Sequence, residues 1–520
     1  MATRVHAPVL RGRRLPTEWV LDPPQTGARH RLRTVFGRAD LVVLGLGVTI
    51  GAGIFSLAGQ QAAGTAGPAV LVSFCIAAFV CLLSALSYAE MASALPAAGS
   101  AYTFTYVSLG EVWAWLVGWA FLLEMLLATA VIARVWSEYA LATLDGFGVV
   151  LPPALDGYVG TDARVDVLAI ATLLGLAVLV VVGGRLSVRV LWGLVLAKVA
   201  ILLFVIGAGA THVNTANYTP FVPESQPLPV DQSDPTVLQV LLGGSPDAFG
   251  VTGVFLAVPV IVFAFLGFDI IATAAEETRH PQRDVPVGIL RTVLLTTLLY
   301  LGVSGVLLGM QPHTDLGVAA PVSAAFRAVG ADRYAQVVEP GALIGLTTVM
   351  LVLLIGLTRL AMSMARDGLI PAGLGRVSQR FRSPARAALV VSLATVTLTL
   401  APVLQLAELV SVGSLFAFVF VSLSVIVLRR RRPDLPRLFR VKMVPFLPLL
   451  AILSTLWVML HLHVEAWLYF GFWMAGGLLL YLVYGRRRSR VARLMAPRRG
   501  GRHTAVALRD TLDAFDTRAG

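Results

Sequence analysis

The chain has 520 residues, of which 57% are hydrophobic and 13% charged, with a formal net charge of +12 and a mean hydropathy of +0.80. No water-soluble domain of this length could cover such a composition with polar surface, which excludes the soluble classes and points to a polytopic membrane protein. The positive charge does not point to nucleic acid. Arginines crowd the tail before Leu41, Arg185–Arg189, Arg279–Arg283, Arg366–Arg386, Arg429–Arg432 and the tail from Arg486, while loops 144–163, 212–250 and 462–466 hold no lysine or arginine. This alternation follows the positive-inside bias and predicts cytoplasmic placement of both termini.

In chain order, apolar runs predict spans near 40–61, 68–93, 111–142, 165–183, 190–210, 251–276, 286–310, 337–365, 386–404, 407–429, 443–462 and 467–485. Most have about the twenty residues that a helix needs to cross roughly 30 Å of hydrocarbon. The fold class is therefore an all-α membrane protein with twelve transmembrane helices, and the even count agrees with both tails lying on one side. A basic polar tail without a small-residue cleavage site precedes the first run, so no cleavable signal is expected. The loop from His212 to Gly250 carries six prolines and reads as a linker; the charged tail from Arg486 is expected to be loosely ordered. Cys75 and Cys81 share one span but face different ways on a helix, too far apart to bridge.

Two spans are interrupted. The first reads Gly45-Leu-Gly-Val-Thr-Ile-Gly51-Ala-Gly-Ile-Phe55, with four glycines within nine residues. The sixth reads Phe263-Ala-Phe-Leu-Gly267-Phe-Asp269, with Pro259 one turn upstream. Glycine lets the backbone leave helical geometry, and bare backbone inside a bilayer is tolerable only beside a cavity or a ligand. Interruptions at corresponding places in two halves point to a transporter binding site. Taken alone, Gly47-Val-Thr-Ile-Gly51 is equally a small-residue packing pattern. The spacing is wrong for a dinucleotide loop, and no phosphate-binding loop of an ATP-driven pump occurs.

A lone ionised side chain at a helix centre costs about 2.5–3.5 kcal/mol on insertion scales, so each one needs a reason. The clear cases are Glu124, Lys198 and Asp269. Arg134 and Glu138, four apart, can pair with each other. Glu90, Glu276, Glu277, Arg359 and Glu408 fall near helix ends, where snorkelling or capping suffices. The chain has only one other lysine, Lys442. Unlike arginine, a buried lysine can lose its proton near physiological pH, which suits a proton carrier. Two readings stand open: Lys198 carries protons with Glu124 tuning it, or the two form an ion pair that ties their helices together. His461 and His463 point to different faces, and no metal or cofactor site is evident.

Ile50-Gly-Ala-Gly-Ile-Phe55, Tyr88-Ala-Glu90 and Pro96-Ala-Ala-Gly-Ser-Ala-Tyr102 resemble motifs of the amino acid–polyamine–organocation (APC) superfamily. Phe263 to Asp269, Ala275-Glu-Glu-Thr278, Asp284-Val-Pro-Val-Gly-Ile289, Met364-Ala-Arg-Asp-Gly-Leu-Ile-Pro371 and Ser411-Val-Gly-Ser-Leu-Phe-Ala-Phe418 are similar to its cationic amino acid transporter branch, in the bacterial type. The resemblance runs from about residue 35 to 485.

It implies a LeuT-type core of two inverted five-helix repeats with discontinuous first and sixth helices. On that plan residues 1–37 form a basic cytoplasmic tail and 38–430 the transport core, with repeats at about 38–211 and 250–430. Two peripheral helices fill 431–485, and 486–520 is a second basic tail. The resemblance places a substrate carboxylate on the backbone amides of Gly51, Ala52 and Gly53, with Ile50 also among the substrate-binding residues, and an ammonium on carbonyls of Phe263, Ala264 and Leu266. It matches Lys198 and Glu124 to residues of proton coupling. The function implied is a non-enzymatic secondary active transporter, importing L-amino acids with protons across the plasma membrane by alternating access. Its partners are then an amino acid, protons and the lipid bilayer, with no nucleic acid and no cofactor. An amino acid/polyamine exchanger and a membrane amino-acid sensor are the alternatives. Substrate choice is expected to rest on residues near Thr347–Met350, and the lack of an acidic group secure in that subsite favours neutral amino acids.

Overall fold

The computed structural model describes residues 13–17, 36–97, 99–149, 152, 157–160, 163, 165–182, 188–227, 234–244, 246–378, 383–400 and 403–495. Much of both basic tails, and with it part of the expected tail domains, lies outside these residues. Seven helical stretches are long and apolar enough to cross a membrane, and four further apolar helices are shorter, so the protein is an all-α, multi-pass membrane protein. Its one sheet among the described residues pairs β1 (Gln226–Pro227) antiparallel with β2 (Asp247–Ala248) in the expected linker.

The chain enters through α1 (Arg38–Thr49), leaves helical geometry at Ile50, and winds on from Gly53 to Ala66, partly as π-helix. α2 (Val70–Ala94) and the short α3 (Ser100–Ser108) lead to α4 (Glu111–Gly146). α5 (Val167–Val182) and α6 (Val188–Ala210) precede the linker, which carries α7 (Val237–Leu242). α8 (Gly250–Ala264) stops short, and a turn through Phe265–Asp269 joins it to α9 (Ile270–Thr273). α10 (Pro281–Met310), α11 (Pro321–Ala328), α12 (Asp332–Arg366), α13 (Ala385–Leu398), α14 (Val403–Arg431), α15 (Phe446–Leu460) and α16 (Val464–Leu480) follow. Each apolar run therefore carries a helix, and the two glycine-marked runs carry two pieces each.

α4 is the most enclosed helix and packs against α12 and α14, while α10 packs against α1 and α2. α5, α6, α15 and α16 present exposed Leu, Val and Phe faces, such as Leu196, Leu203, Leu453 and Phe472. In water those faces would be a liability, whereas hydrocarbon solvates them at no cost.

Buried charge holds the arginine-rich end together. Glu90, expected only to cap a helix end, is fully buried and takes a two-pronged contact from Arg429 at 2.7 and 2.6 Å plus the Val441 N–H at 2.7 Å. Glu111 collects Arg13 at 3.3 Å, Tyr106 at 3.2 Å, Tyr481 at 2.8 Å and Ser489 at 2.7 Å. Residues near both chain ends thus converge on one carboxylate. The expectation of a loosely ordered tail fails for its first residues: Arg486–Arg488 and α17 (Arg490–Met495) are helical, and Ser489 and Val491 are fully buried. The rest of that tail lies outside the described residues.

Arg134 also finds partners other than the one its spacing suggests. It donates to the carbonyls of Thr399 (2.6 Å), Ala163 (2.7 Å) and Gly160 (3.5 Å), which fastens a loop to α4.

Candidate functional site

The two interruptions meet. A Cβ on Gly53 would lie 2.2 Å from Cβ and 2.4 Å from Cα of Ala264, so only glycine lets the first break touch the end of α8. Gly267 is required twice over: its φ is +115°, and a Cβ there would sit 2.6 Å from Val48 Cγ1. Asp269 accepts the Gly267 N–H at 3.2 Å and holds this turn. Pro259 removes one backbone donor inside α8.

Beside this contact lies a cavity. Val48, Thr49, Gly51, Ala52 and Gly53 form one wall, and Phe263, Leu266, Gly267 and Ile270 the next. Glu124, Met125, Ala128 and Ile132 come from α4, and Val349 and Leu353 from α12. Among the described residues, the N–H groups of Gly51 and Ala52 make no backbone hydrogen bond. The end of α8 meanwhile presents carbonyls, at a helix terminus where partial negative charge accumulates. The cavity therefore offers hydrogen-bond donors from one break and acceptors from the other, amid apolar side chains.

Lys198 approaches the same break from behind. Fully buried on α6, its ammonium donates to the Gly47 carbonyl at 2.6 Å and the Ile50 carbonyl at 3.2 Å. These acceptors are available because the helix opens after Thr49. The Lys198–Glu124 ion pair left open by the sequence does not form: Lys198 gives its ammonium to the two carbonyls instead. Glu124 faces the cavity, and its Oε2 is buried without a hydrogen-bond partner. An acidic group thus does line the space where none was expected.

Three further side chains escaped the sequence reading. Tyr300 on α10 reaches the Thr49 carbonyl at 2.6 Å and the Ala264 carbonyl at 3.0 Å. Tyr139 donates to the Phe55 carbonyl at 2.6 Å. Trp136 donates to Thr347 Oγ1 at 2.9 Å. That engages Thr347, so within the expected Thr347–Met350 stretch Val349 is the residue on the cavity wall. A lone aromatic in an apolar span gives no sequence signal when its partner is backbone two helices away.

At the arginine-rich end the first and sixth spans are clamped. Arg38 meets Asp284 at 3.0 Å, Arg359 meets Glu277 at 2.8 Å, and Phe36 bridges to Thr278.

The profile of a known family, amino acid permease, matches residues 36–482. The chain belongs to the amino acid permease family. This permease is accordingly a membrane transporter of the APC superfamily rather than an enzyme. It is 39% identical to the branched-chain amino acid permease BcaP of Bacillus subtilis, over 90% of this chain and 96% of that protein. It is 38% identical to the methylthioribose transporter of the same organism, over 86% and 93%. Similarity extends to cationic amino acid transporter 1 of Arabidopsis thaliana, at 33% over 77% of this chain and 63% of that protein. Relatives named for cationic and for branched-chain substrates both match, so family membership does not single out the cationic branch.

Of the residues singled out in the sequence, Gly51, Ala52, Gly53, Phe263, Leu266 and Glu124 line the cavity together. Ala264 abuts Gly53 from the side, and Ile50 turns its carbonyl to Lys198.

Proposed function

We propose that this permease imports L-amino acids by alternating access, driven by protons. The carrying observation is the facing pair of breaks, with bare N–H groups on one and helix-end carbonyls on the other. A zwitterion is the solute that such a pocket matches at both ends. Its carboxylate would sit on the amides of Gly51, Ala52 and Gly53, next to Ile50. Its ammonium would sit on carbonyls of Phe263, Ala264 and Leu266.

Proton coupling falls to Lys198. A charged ammonium bridging Gly47 and Ile50 tethers α6 to the first break, and a neutral amine would hold two carbonyls less firmly. Loss of the proton on the cytoplasmic side would then free the break to move. Glu124, which lines the cavity, is the acidic group that would tune Lys198 without pairing with it directly.

Met125, Ala128, Ile132, Val349 and Leu353 surround the space beyond the breaks, with Glu124 as the one acid lining it among the described residues, and these apolar walls favour a medium-sized apolar side chain. The likeness to permeases named for branched-chain amino acids supports the same choice. The architecture this mechanism calls for is twelve spans with a LeuT-type core, its inverted repeats at about 38–211 and 250–430. Two peripheral helices within 431–485 complete it, with both termini in the cytoplasm of a plasma-membrane protein.

Uptake of a labelled L-amino-acid panel into proteoliposomes, with proton and sodium gradients imposed separately, tests the reading. Accumulation of a branched-chain amino acid under an inward proton gradient alone is expected. Uptake that ignores the pH gradient and needs a counter-substrate inside would instead establish an exchanger, in which Lys198 is a fixed tether. Binding without accumulation would establish a sensor.

A further inference from the structure

The hydroxyl of Tyr300 touches both breaks at once. It lies 2.6 Å from the Thr49 carbonyl oxygen, the last of α1, and 3.0 Å from that of Ala264, the last of α8. In unbroken helices these carbonyls would accept the N–H groups of Gly53 and Phe268. A phenol carries one hydrogen, so it donates to one of the two carbonyls at a time. Phe74 and Phe265 pack edge-on against the fully buried ring and fix where the hydroxyl points.

We propose that Tyr300 is a positioning residue for the empty carrier: its hydroxyl takes the place of the solute on the broken backbone and yields Ala264 when solute binds. The proposal rests on the binding site described above, in which the Ala264 carbonyl and the Gly51 amide hold the two ends of a zwitterion. With solute present, the phenol falls back on Thr49, its shorter contact. With solute gone, the Ala264 acceptor would be left bare in a low-dielectric interior, a costly arrangement. The phenol meets that acceptor and keeps the breaks together while the empty protein reorients.

The two legs of the cycle separate accordingly. Net import needs the empty carrier to return, whereas exchange uses only loaded carriers moving both ways. Tyr300 therefore serves the first far more than the second.

The test compares the full chain with its Tyr300→Phe variant in proteoliposomes, using L-isoleucine as probe. Counterflow into isoleucine-loaded vesicles should stay near the wild-type rate. Net uptake into isoleucine-free vesicles should slow by about fivefold or more, the worth of one hydrogen bond at a barrier. Isoleucine affinity should hold or tighten, because a competitor for Ala264 is gone. Equal slowing of both processes, slowing of neither, or a variant that fails to insert would make the hydroxyl merely structural and overturn the proposal.

Hydrogen exchange over 47–53 and 263–268 in the solute-free protein gives a reading independent of transport. It should quicken about fivefold in the variant, and unchanged exchange refutes the idea. Failure of the binding site itself would look different, with wild-type protein that neither binds nor moves isoleucine.

Discussion

Replacing Gly53 with alanine is the sharpest perturbation of the meeting point between the breaks. The new methyl carbon would lie 2.2 Å from Ala264 Cβ, while carbon atoms rest at about 3.5–4.0 Å, so the breaks must part by roughly 1.5 Å. Overpacking of this kind costs about 1–3 kcal/mol in stability. The greater effect falls on binding, since a displacement of that size removes at least one hydrogen bond to a charged end of the solute. Such a bond is worth about 1.5–3 kcal/mol, which weakens binding by roughly 10- to 150-fold. Titration of purified Gly53→Ala protein with L-isoleucine should register that loss, and Gly53→Leu should bind still less. Gly64, where an added Cβ meets nothing within 4 Å, supplies the control, and Gly64→Ala should match wild type. A Gly53→Ala protein whose affinity stays within about twofold of wild type would refute the close-contact argument.

Lys198→Ala should abolish pH-driven uptake while sparing most isoleucine binding, because its ammonium meets carbonyls behind the cavity rather than the cavity itself; normal uptake across an imposed pH gradient would exclude Lys198 from coupling. Arg429→Ala removes the two-pronged partner of the buried Glu90 carboxylate and leaves it Arg437 at 3.6 Å and the Val441 N–H, at a cost of about 1.5–3 kcal/mol, and should lower the melting midpoint in detergent below that of Arg430→Ala. His463, outside the spans, meets Glu408 at 2.7 Å. Burial pushes its imidazolium down, but the Glu408 hydrogen bond and charge, joined by Asp234 and Glu465, outweigh burial and hold it above its ordinary value. A raised value means the stabilisation is complete below the unfolded value of about 6.5 and fades as pH rises through the folded one. The melting midpoint should therefore fall with rising pH across that window, and His463→Gln should flatten the profile.

What the sequence disclosed follows from how local its signals are. Apolar run length is a local property, and each run carries a helix. The breaks were readable because glycine leaves its mark at the residue that bends, as at Gly53 and Gly267. Pairings across the bundle were not. Two opposite charges in one membrane invite a pairing between Lys198 and Glu124, yet an opened helix offers carbonyls that compete for the ammonium and win. Glu90 passed for a helix-end residue because Arg429 is 339 positions away. Tyr300 and Tyr139 were silent for the same reason: an aromatic in an apolar run looks like core, and the carbonyls it serves become acceptors only after the helix has broken.

The Glu111 carboxylate carries a consequence for biosynthesis. Tyr481 and Ser489, two of its four partners, are separated from it by 370 and 378 positions. While the ribosome is still making the intervening chain, α4 has already left the exit tunnel with an acid that those hydroxyls cannot yet reach. Residues made long after it complete its shell, so a chain cut short before Tyr481 would leave the carboxylate with Arg13 and Tyr106 alone.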